Sequence, residues 1–399
     1  MTEESNKELK DNGLKSSHSL DLKQKLVYYY RELHKYPELS FKEFKTTQAI
    51  RQWLEEEGID ILDFPLNVGV IAEIRGNLPG PTLALRADID ALPIQEDSGI
   101  DYASQNEGVM HACGHDFHMA SILGAALLLK EHRAELKGTV RFIFQPGEEA
   151  TNGAQVTIET GVLEGVDAIF GFHNKPDLPV GTVGIKSGAL MASVDRFEIE
   201  VIGVGGHAGI PHNVIDPIVT ASQIVTTLQT IVSRNLSPFS NVVISVTRFQ
   251  AGNTWNVIPE RAVLEGTVRT FQEEARALVP ELMKRAVEGI AAAYGAKVSF
   301  RWFPSLPCVD NDPQFTSLLK ETAEELGYKV VEAEPIPGGE DFAAYQKIIP
   351  GYFVWIGVEG TKEWHHPQYN LKEEALSVGA NYFAHLALKI GAEWPKNKK

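Results

Sequence analysis

The feature that most constrains the fold of this chain is the order in which strand-like and helix-like segments follow one another. Apolar runs of strand length alternate with amphipathic runs of helix length up to residue 187, and the alternation resumes at residue 304. Strands separated by helices in this way indicate an α/β domain with a mixed, mostly parallel sheet. We therefore predict one discontinuous domain, residues 21–187 and 304–399, that binds its ligands at the carboxyl edge of the sheet.

The segment between these two parts follows a different pattern. Residues 188–303 read as β-α-β-β-α-β, with strands at 194–204, 241–250, 260–270 and 297–303 and helices at 215–235 and 273–294. This is the order of a ferredoxin-like sandwich, so we predict an inserted second domain. Gly203–Ala208 imitates a dinucleotide-binding fingerprint, but Pro211 interrupts what would be the phosphate-binding helix, and we reject that interpretation.

Composition excludes several classes of protein. The 399 residues exceed the 250–300 or so that one hydrophobic core usually spans. A formal charge of −16 argues against nucleic acid or an anionic membrane as partner, because both require basic surfaces. No apolar run reaches the roughly 18 residues of a membrane helix, and the first residues lack a signal-peptide pattern, so we expect a cytoplasmic protein. Residues 1–20 are polar and are predicted to form a mobile tail.

The densest group of metal-competent side chains lies between His111 and His118. A single glycine separates Cys113 from His115, so a turn there would bring a thiolate and an imidazole to one ion, a pairing that suits zinc. The alternatives are a buried cysteine beside loop histidines and, on paper, a bridge between Cys113 and Cys308. A thiol within a histidine cluster is better used as a metal ligand in a reducing compartment.

Other acidic and histidine side chains follow further predicted strands and are expected at the same edge of the sheet: Asp88, Asp90, Glu148, Glu149, His173 and His365. Adjacent side chains leaving a strand diverge, so Glu148 and Glu149 can take different roles, one binding metal and one moving protons. Carboxylates gathered in one place repel each other unless cations lie between them. The sequence therefore predicts a metal site with one ion or two.

Eight motifs make the chain similar to a known family, the metal-dependent amidohydrolases of the aminoacylase and carboxypeptidase superfamily. They are Leu33–Ser40, Arg86–Pro93, His111–His118, Gln145–Glu149, Gly205–Ala208, Asn256–Pro259, Gly266–Thr270 and Gly339–Phe342. The branch it resembles contains hippurate hydrolases, N-acyl-amino-acid deacylases and auxin-conjugate hydrolases. The resemblance implies a zinc-exopeptidase-like catalytic domain with helices on both faces of its sheet. It also implies that residues 188–303 form a lid or dimerisation domain.

The resemblance implies roles for individual residues as well. By it, two divalent ions are held by Cys113, His115, Glu149, His173 and His365. The expected ions are zinc or manganese, with cobalt or nickel as alternatives. Glu148 is the expected general base and Asp90 orients a ligand. Outside the metal site, His207 is expected to stabilise tetrahedral charge, and Asn256 and Arg269 to bind the free carboxylate of the substrate.

Two positions complicate the resemblance. His366 duplicates His365 next to a proline, although the register of the family favours His365. The family usually has alanine where this chain has Gly147, which leaves the shape of the acyl pocket open.

The expected activity is metal-dependent hydrolysis of the amide bond of small N-acyl amino acids, which releases a carboxylic acid and a free amino acid. A dipeptidase or carboxypeptidase, or a non-catalytic metal-binding relative, is the alternative. A cysteine hydrolase with Cys113 as nucleophile is disfavoured by the number of carboxylates. Relatives place the histidine that matches His207 across a dimer interface, so we expect a homodimer or a dimer of dimers, with action in cis or in trans left open.

Overall fold

The structure is a computed structural model that describes residues 19–394. Within that range the chain forms two compact units. The first contains residues 19–188, 310–334 and 344–394, and the second contains residues 189–309 and 335–343. The predicted mobile tail falls outside the described residues except for its last two, which begin the first helix. No helix in the described part of the chain is both long and apolar enough to cross a bilayer.

Nine α-helices lie within residues 19–394. They are α1 (Ser19–Lys35), α2 (Phe44–Glu56), α3 (His115–Glu131), α4 (Gly153–Glu159), α5 (Pro217–Thr230), α6 (Glu273–Tyr294), α7 (Thr316–Glu325), α8 (Ala343–Gln346) and α9 (Glu374–Glu393). The same residues contain sixteen strands. They are β1 (Asp60–Leu62), β2 (Val70–Arg75), β3 (Leu78–Asp88), β4 (Lys137–Gln145), β5 (Ala168–Lys175), β6 (Thr182–Ile185), β7 (Gly188–Met191), β8 (Asp195–Ile202), β9 (Gly206–His207), β10 (Val242–Ala251), β11 (Val257–Ile258), β12 (Arg261–Thr270), β13 (Lys297–Pro304), β14 (Val309–Asn311), β15 (Lys329–Glu332) and β16 (Gly351–Gly357).

The first unit is built on a mixed eight-stranded sheet in the order β1-β2-β4-β3-β5-β16-β6-β15. Four neighbouring pairs are parallel, namely β3 with β4, β3 with β5, β5 with β16, and β6 with β15. Every residue of β16 is buried, so both faces of the sheet are covered at its centre. The predicted α/β class and mostly parallel sheet are confirmed.

Helix α3 is buried on all sides, from His115 to Leu129. It packs against α1 and α9, and it is apolar all round because none of its faces meets water. The metal-competent side chains between His111 and His118 are therefore divided between a loop and the first turn of this helix. The helix begins at His115, directly after Gly114, so His115 and His118 lie one turn apart on one face.

The second unit contains a four-stranded antiparallel sheet in the order β10-β12-β8-β13. With α5 after β8 and α6 after β12, this is the predicted β-α-β-β-α-β arrangement of a ferredoxin-like sandwich. The predicted helix 215–235 is shorter than expected, because a π-turn over Ile231–Asn235 follows α5. Residues 335–343, which the sequence analysis placed with the catalytic domain, belong to this unit.

Several other predicted bounds were wrong. The sequence pattern predicts a helix at 340–347 and a last helix from residue 371, whereas the structure has a helix at Ala343–Gln346 and a last helix that starts at Glu374. Strand β5 continues to Lys175, so His173 lies inside a strand and not after it. The strands β1, β6, β7 and β14 were not predicted, because each has three or four residues and such runs carry no measurable period.

Candidate metal centre

The candidate site of the first unit lies where three parallel strands reach the carboxyl edge of its sheet. Asp88 ends β3, the Gln145–Glu149 segment leaves β4, and His173 lies near the end of β5. The Cys113 loop and the first turn of α3 come to the same edge. Open α/β sheets bind their ligands at this place, because the strand ends leave a crevice there.

Side chains from four separate segments meet there. The Cys113 Sγ atom lies 3.4 Å from His173 Nε2. The Glu149 Oε1 atom lies 4.0 Å from His115 Nε2 and 3.5 Å from His365 Nε2. Three groups of ligand atoms, each mutually within 4.8 Å, share members: Cys113, His115 and His173; Cys113, Glu149 and His365; and His115, Glu148 and Glu149. The structure brings all five predicted ligands and Glu148 together.

Hydrogen bonds fix which ring nitrogen each of two histidines turns inward. His115 Nδ1 lies 3.0 Å from the carbonyl oxygen of Asp90, and His173 Nδ1 lies 2.9 Å from the carbonyl oxygen of Asn174. A nitrogen that faces a carbonyl carries the proton, so the Nε2 lone pair of each ring points into the cluster. This is the arrangement by which proteins orient metal-binding imidazoles.

Two atoms in the cluster, His115 Nε2 and Glu149 Oε1, are buried and have no hydrogen-bond partner among residues 19–394. Leaving a buried acceptor unsatisfied costs about 1–3 kcal/mol. Both are ligand atoms, and a divalent cation would satisfy both at once. The donor set of a thiolate, imidazoles and carboxylates is one that zinc and neighbouring transition metals accept. These residues therefore fit a metal centre.

The electrostatics of the cluster favour positive charge. Burial by itself would lower the pKa of His115, but Asp88 and Asp90 outweigh it and raise that pKa to about 10. Burial raises the pKa of the Cys113 thiol well above its usual range, and Glu149 and Glu148 raise it further. A bound cation reverses such shifts, because it stabilises a thiolate and competes with the imidazole proton.

Asp88 and His118 do not fit as ligands, although they lie beside the cluster. His118 Nδ1 lies 2.6 Å from Asp88 Oδ1, and His118 Nε2 accepts the backbone N–H of Asn174 at 3.0 Å. The second Asp88 oxygen accepts from Arg86 at 2.7 Å. Burial would raise the pKa of Asp88, but His115, His118 and Arg86 hold it well below its usual range. Both side chains are already engaged in hydrogen bonds, so we assign them a supporting role, although ligand atoms of Asp88, His115 and His118 also lie within 4.8 Å of one another.

Asp90 lies where an orienting residue is expected. Its Oδ1 is 3.3 Å from His115 Nδ1, and its Oδ2 accepts the backbone N–H of Glu149 at 3.0 Å. The hydroxyl of Ser40 donates to the same oxygen at 2.6 Å. Asp90 thus contacts an imidazole ligand, as an orienting residue would. It also contacts the backbone of a carboxylate ligand, and this second contact was not predicted.

The turn that carries Glu148 is held from the side of α2. Gly147 has φ +68°, and a Cβ atom there would lie 2.5 Å from the Phe41 ring. Its backbone N–H donates to Glu43 Oε1 at 2.9 Å, and burial raises the pKa of Glu43 to about 7. The glycine that departs from the family pattern is therefore needed here, because Phe41 fills the space that a methyl group would take.

His365 rather than His366 faces the cluster. His365 has a left-handed backbone with φ +64°, and its N–H donates to the carbonyl oxygen of Ala112 at 2.9 Å. His366 Nδ1 accepts the backbone N–H of Gln368 at 3.0 Å and belongs to a local turn. A strained backbone at a non-glycine residue is typical of functional sites, because the surroundings must hold it.

The three remaining predicted site residues lie in the second unit, and they do not lie together. His207 is in β9, which pairs with β11, and Asn256 directly precedes β11. Both lie beyond the end of β12 that starts at Arg261. Arg269 lies near the other end, eight residues along the strand, which is roughly 25 Å away. One copy of this unit therefore does not present all three side chains at one place.

Comparison with known proteins identifies the family. The family model of peptidase family M20/M25/M40 matches residues 84–389. The chain belongs to this family. The N-acetylcysteine deacetylase of Bacillus subtilis is 63% identical over 367 residues, which cover 92% of this chain and 97% of that protein. The thermostable carboxypeptidase 2 of Saccharolobus solfataricus is 37% identical over 374 residues, or 92% of this chain and 95% of the relative.

A solved M20 structure shows the same fold. It is a crystal structure from Bacillus subtilis, described as a dinuclear metal-binding peptidase of the M20 family, with a TM-score of 0.87 and 58% identity. The match covers 94% of this chain and 99% of that one. The predicted membership among metal-dependent amidohydrolases that act on linear amides is confirmed by these matches.

Some residues of this M20 site were not found by sequence reasoning. Ser40 and Glu43, which hold Asp90 and Gly147, lie in a connection between two helices, where polar residues are unremarkable. Asn174 contacts the Cys113 loop, and the only sequence signal is an amide directly after a predicted ligand. Side chains that act through hydrogen bonds to the backbone of distant segments leave no pattern in a single sequence.

Proposed function

We propose that this M20 enzyme hydrolyses the amide bond of N-acyl amino acids that carry a free carboxylate. The observation that carries the proposal is the cluster of five ligand-type side chains with the Glu148 carboxylate at its edge, in a chain similar over most of its length to an N-acetylcysteine deacetylase. Deacylation leaves a carboxylic acid and a free amino acid. A small N-acyl amino acid, including an N-acetyl amino acid, is the proposed substrate.

Two divalent ions would be held by Cys113, His115, Glu149, His173 and His365. Bound divalent ions supply Lewis-acid polarisation of the amide carbonyl and a hydroxide nucleophile near neutral pH. We propose zinc or manganese, with cobalt and nickel compatible with the same donors. A free thiol ligand suits a reducing compartment such as the cytoplasm.

Glu148 is the proposed general base. Its carboxylate lies with His115 and Glu149, and it is buried. It takes the proton of the attacking water and then delivers it to the nitrogen of the leaving amine, so one carboxylate serves both halves of the reaction. Glu149, its neighbour, turns to the ligand cluster, as expected for adjacent residues that diverge. Asp90 holds His115 and the Glu149 backbone in place.

Arg269 is the proposed anchor of the substrate carboxylate. The guanidinium is half-buried, burial lowers its pKa, and in the described part of the chain it forms no ion pair. A carboxylate is a planar anion and can pair bidentately with such a half-buried guanidinium. His207 and Asn256 are the proposed donors to the tetrahedral oxyanion and the substrate. We propose that a second copy of the chain supplies them, which is consistent with their distance from Arg269 within one unit.

A homodimer is therefore part of the proposal. The edge strand β10 of the second unit exposes Val243 and Phe249, each with more than 40% of its surface in water. A bare sheet edge with apolar side chains is suited to pairing with another copy. The second unit would thus serve as the dimerisation domain as well as the source of His207.

The test is a hydrolysis screen of N-acyl amino acids and short peptides. The enzyme is stripped with a chelator and reloaded separately with zinc, manganese, cobalt and nickel. We expect metal-dependent release of the amino acid from N-acyl substrates, in preference to cleavage of peptides. Faster hydrolysis of C-terminal peptide bonds would instead favour the carboxypeptidase activity that the name of the Saccharolobus relative describes. Hydrolysis that survives the chelator would contradict the metal-dependent mechanism.

A further inference from the structure

The side chain of Asn174 occupies an unusual place beside the ligand cluster. Asn174 follows His173 in β5 and is fully buried. Its Nδ2 atom donates to the carbonyl oxygen of Cys113 at 2.6 Å and lies 3.0 Å from His118 Nε2. Its Oδ1 atom accepts the indole N–H of Trp364 at 2.8 Å and the hydroxyl of Tyr369 at 2.6 Å. The amide thereby donates to the Cys113 carbonyl oxygen and accepts twice, while its second N–H shares the one lone pair of His118 Nε2 with the backbone N–H of Asn174.

These contacts connect three segments that are far apart in the sequence. The Cys113 loop lies 61 residues before Asn174, and the segment of Trp364 lies 190 residues after it. Each segment carries proposed metal ligands: Cys113 and His115 in the first, His173 in β5, and His365 directly after Trp364. The backbone of Asn174 contributes too, because its carbonyl oxygen accepts from His173 Nδ1 at 2.9 Å.

The contact with the Cys113 loop is also steric. Gly114 has φ +80°, and a Cβ atom at this position would lie 2.5 Å from Asn174 Nδ2. The amide therefore packs directly against the turn that separates Cys113 from His115. Because the turn contacts Asn174, the position of the Asn174 amide sets the distance of the Cys113 thiol and the His115 imidazole from His173.

We propose that Asn174 is a positioning residue that fixes the spacing of the three ligand-bearing segments and thereby sets the metal affinity of the site. The inference rests on the proposed metal centre and adds a residue that touches neither ion nor substrate. Only an amide fits this role, because the position needs donors toward Cys113 and acceptors toward Trp364 and Tyr369. An aspartate would keep the acceptors but set a carboxylate oxygen against the Cys113 carbonyl oxygen.

The principal variant is Asn174→Asp, which keeps the size of the side chain, removes its donors and sets a carboxylate oxygen against the Cys113 carbonyl oxygen. Residues that orient metal ligands typically change metal affinity by about 10–100-fold when replaced. We expect the zinc affinity of the stripped protein, measured by competition with a chromogenic chelator, to fall at least about tenfold. The thermal midpoint of the stripped protein is measured alongside, so that loss of fold and loss of affinity are separated.

Asn311→Asp is the matched control. Asn311 is also a buried asparagine of the first unit, and its amide donates to the carbonyl oxygens of Lys186 and Phe353 at 2.9 and 2.8 Å. It also accepts the backbone N–H of Phe353 at 2.7 Å. The substitution imposes a comparable loss of buried hydrogen bonds on the fold. Since none of these partners is a proposed ligand, its zinc affinity is expected to stay within about twofold of wild type.

Two further variants keep the proposal testable if Asn174→Asp does not fold. Trp364→Phe removes the indole donor but keeps an aromatic ring, and Tyr369→Phe removes only a hydroxyl. Each removes one of the two hydrogen bonds that Oδ1 of Asn174 accepts from the segment of His365. We expect each to weaken the binding of one of the two zinc ions and to leave the other nearly unchanged, because the Cys113 loop keeps its contacts.

The outcomes are distinct. A tenfold or larger loss of zinc affinity in Asn174→Asp, with Asn311→Asp unchanged, supports the positioning role. Equal zinc affinity in wild type, Asn174→Asp and the two aromatic variants overturns it, and so does an equal loss in Asn174→Asp and Asn311→Asp. If the wild-type protein itself binds no zinc, manganese, cobalt or nickel, the proposed metal centre fails and this inference fails with it.

Discussion

Glu148 and Glu149, which follow β4, are adjacent side chains with different proposed roles in one reaction. Glu149 has a buried carboxylate oxygen with no hydrogen-bond partner, aimed at the imidazoles of His115 and His365. Glu148 lies beside it, after the turn at Gly147. The fixed φ of that glycine and the Phe41 ring above it hold the turn, so the two carboxylates cannot exchange places.

The Glu148→Gln variant tests this division. The amide keeps the shape of the side chain but accepts no proton, so we expect kcat to fall by about 10²–10⁴-fold, the usual worth of a general base. Metal content, measured by elemental analysis, is expected to remain at the wild-type value. Loss of one ion would instead assign Glu148 as a ligand.

Arg269 supports a second prediction about a single residue. Substrates with a free α-carboxylate are expected to be hydrolysed about ten- to a hundredfold faster, by kcat/KM, than the matching carboxamides, because a charge-assisted pair contributes about 1.5–3 kcal/mol. The Arg269→Lys variant is expected to lose most of this preference, since an ammonium lacks the planar fork. Equal rates for acid and carboxamide in the wild-type enzyme would remove Arg269 from the site.

His34 connects helix α1 to the buried helix α3 by a hydrogen-bonded ion pair, in addition to the packing between the two helices. His34 Nδ1 lies 2.6 Å from Asp116 Oδ2, and His34 Nε2 lies 3.2 Å from Glu96 Oε1. Burial would lower the pKa of His34, but the hydrogen bonds to Asp116 and Glu96 outweigh it and raise that pKa to about 9. A protonated His34 thus links the two helices at neutral pH.

The link makes a prediction about stability and pH. A folded pKa above the unfolded value of about 6.5 means that the stabilisation is complete below pH 6.5 and disappears as the pH rises through about 9. The difference in unfolding free energy between wild type and His34→Asn is expected to shrink by on the order of 3 kcal/mol from about pH 6 to about pH 10. Chemical denaturation at a series of pH values measures it.

His385→Asn is the control for this experiment. Burial is the main cause that lowers the pKa of His385, so its contribution is present above the unfolded value and is lost at acidic pH. The difference between wild type and His385→Asn should stay constant from neutral pH to about pH 10. A His34 difference that also stays constant over that range would show that His34 is neutral in the folded protein.

The elements show where sequence reasoning succeeds and where it stops. The long strands β8, β10, β12 and β13 and the helices α5 and α6 were predicted in order, because eight or more residues suffice to show a period of 2 or 3.6. Short strands such as β6 were missed for the opposite reason. The proposed ligands were found because metal chemistry restricts residue types, whereas Asn174 was not, because its role depends on a contact with a backbone carbonyl 61 residues away.

At the scale of the whole molecule, His207 lies far from Arg269 within one copy of the second unit, and an exchange of subunits tests what this separation means. If His207 acts in the active site of the other subunit, mixing inactive Glu148→Gln and His207→Ala proteins restores activity. The mixed dimer then has one site with an intact base from one chain and an intact histidine from the other. Random exchange is expected to restore about a quarter of the wild-type activity.

The control for this mixture is native mass spectrometry, which must show that mixed dimers have formed. Mixtures that contain mixed dimers but stay inactive would place His207 in cis. The same result would require Arg269 to act elsewhere than at the substrate carboxylate, because His207 lies beyond the Arg261 end of β12 and Arg269 lies roughly 25 Å along that strand.

The central position of β16 has a consequence for synthesis on the ribosome. This strand lies between β5 and β6, although β5 ends at Lys175 and β16 begins only at Gly351. At about 5–20 residues per second, roughly ten to thirty-five seconds pass between the emergence of the two strands. During that time the nascent chain exposes an apolar strand edge in the middle of its unfinished sheet. The ferredoxin-like unit can fold during this time. The larger domain cannot complete its sheet, and that strand edge stays unpaired, until the last quarter of the chain has been made.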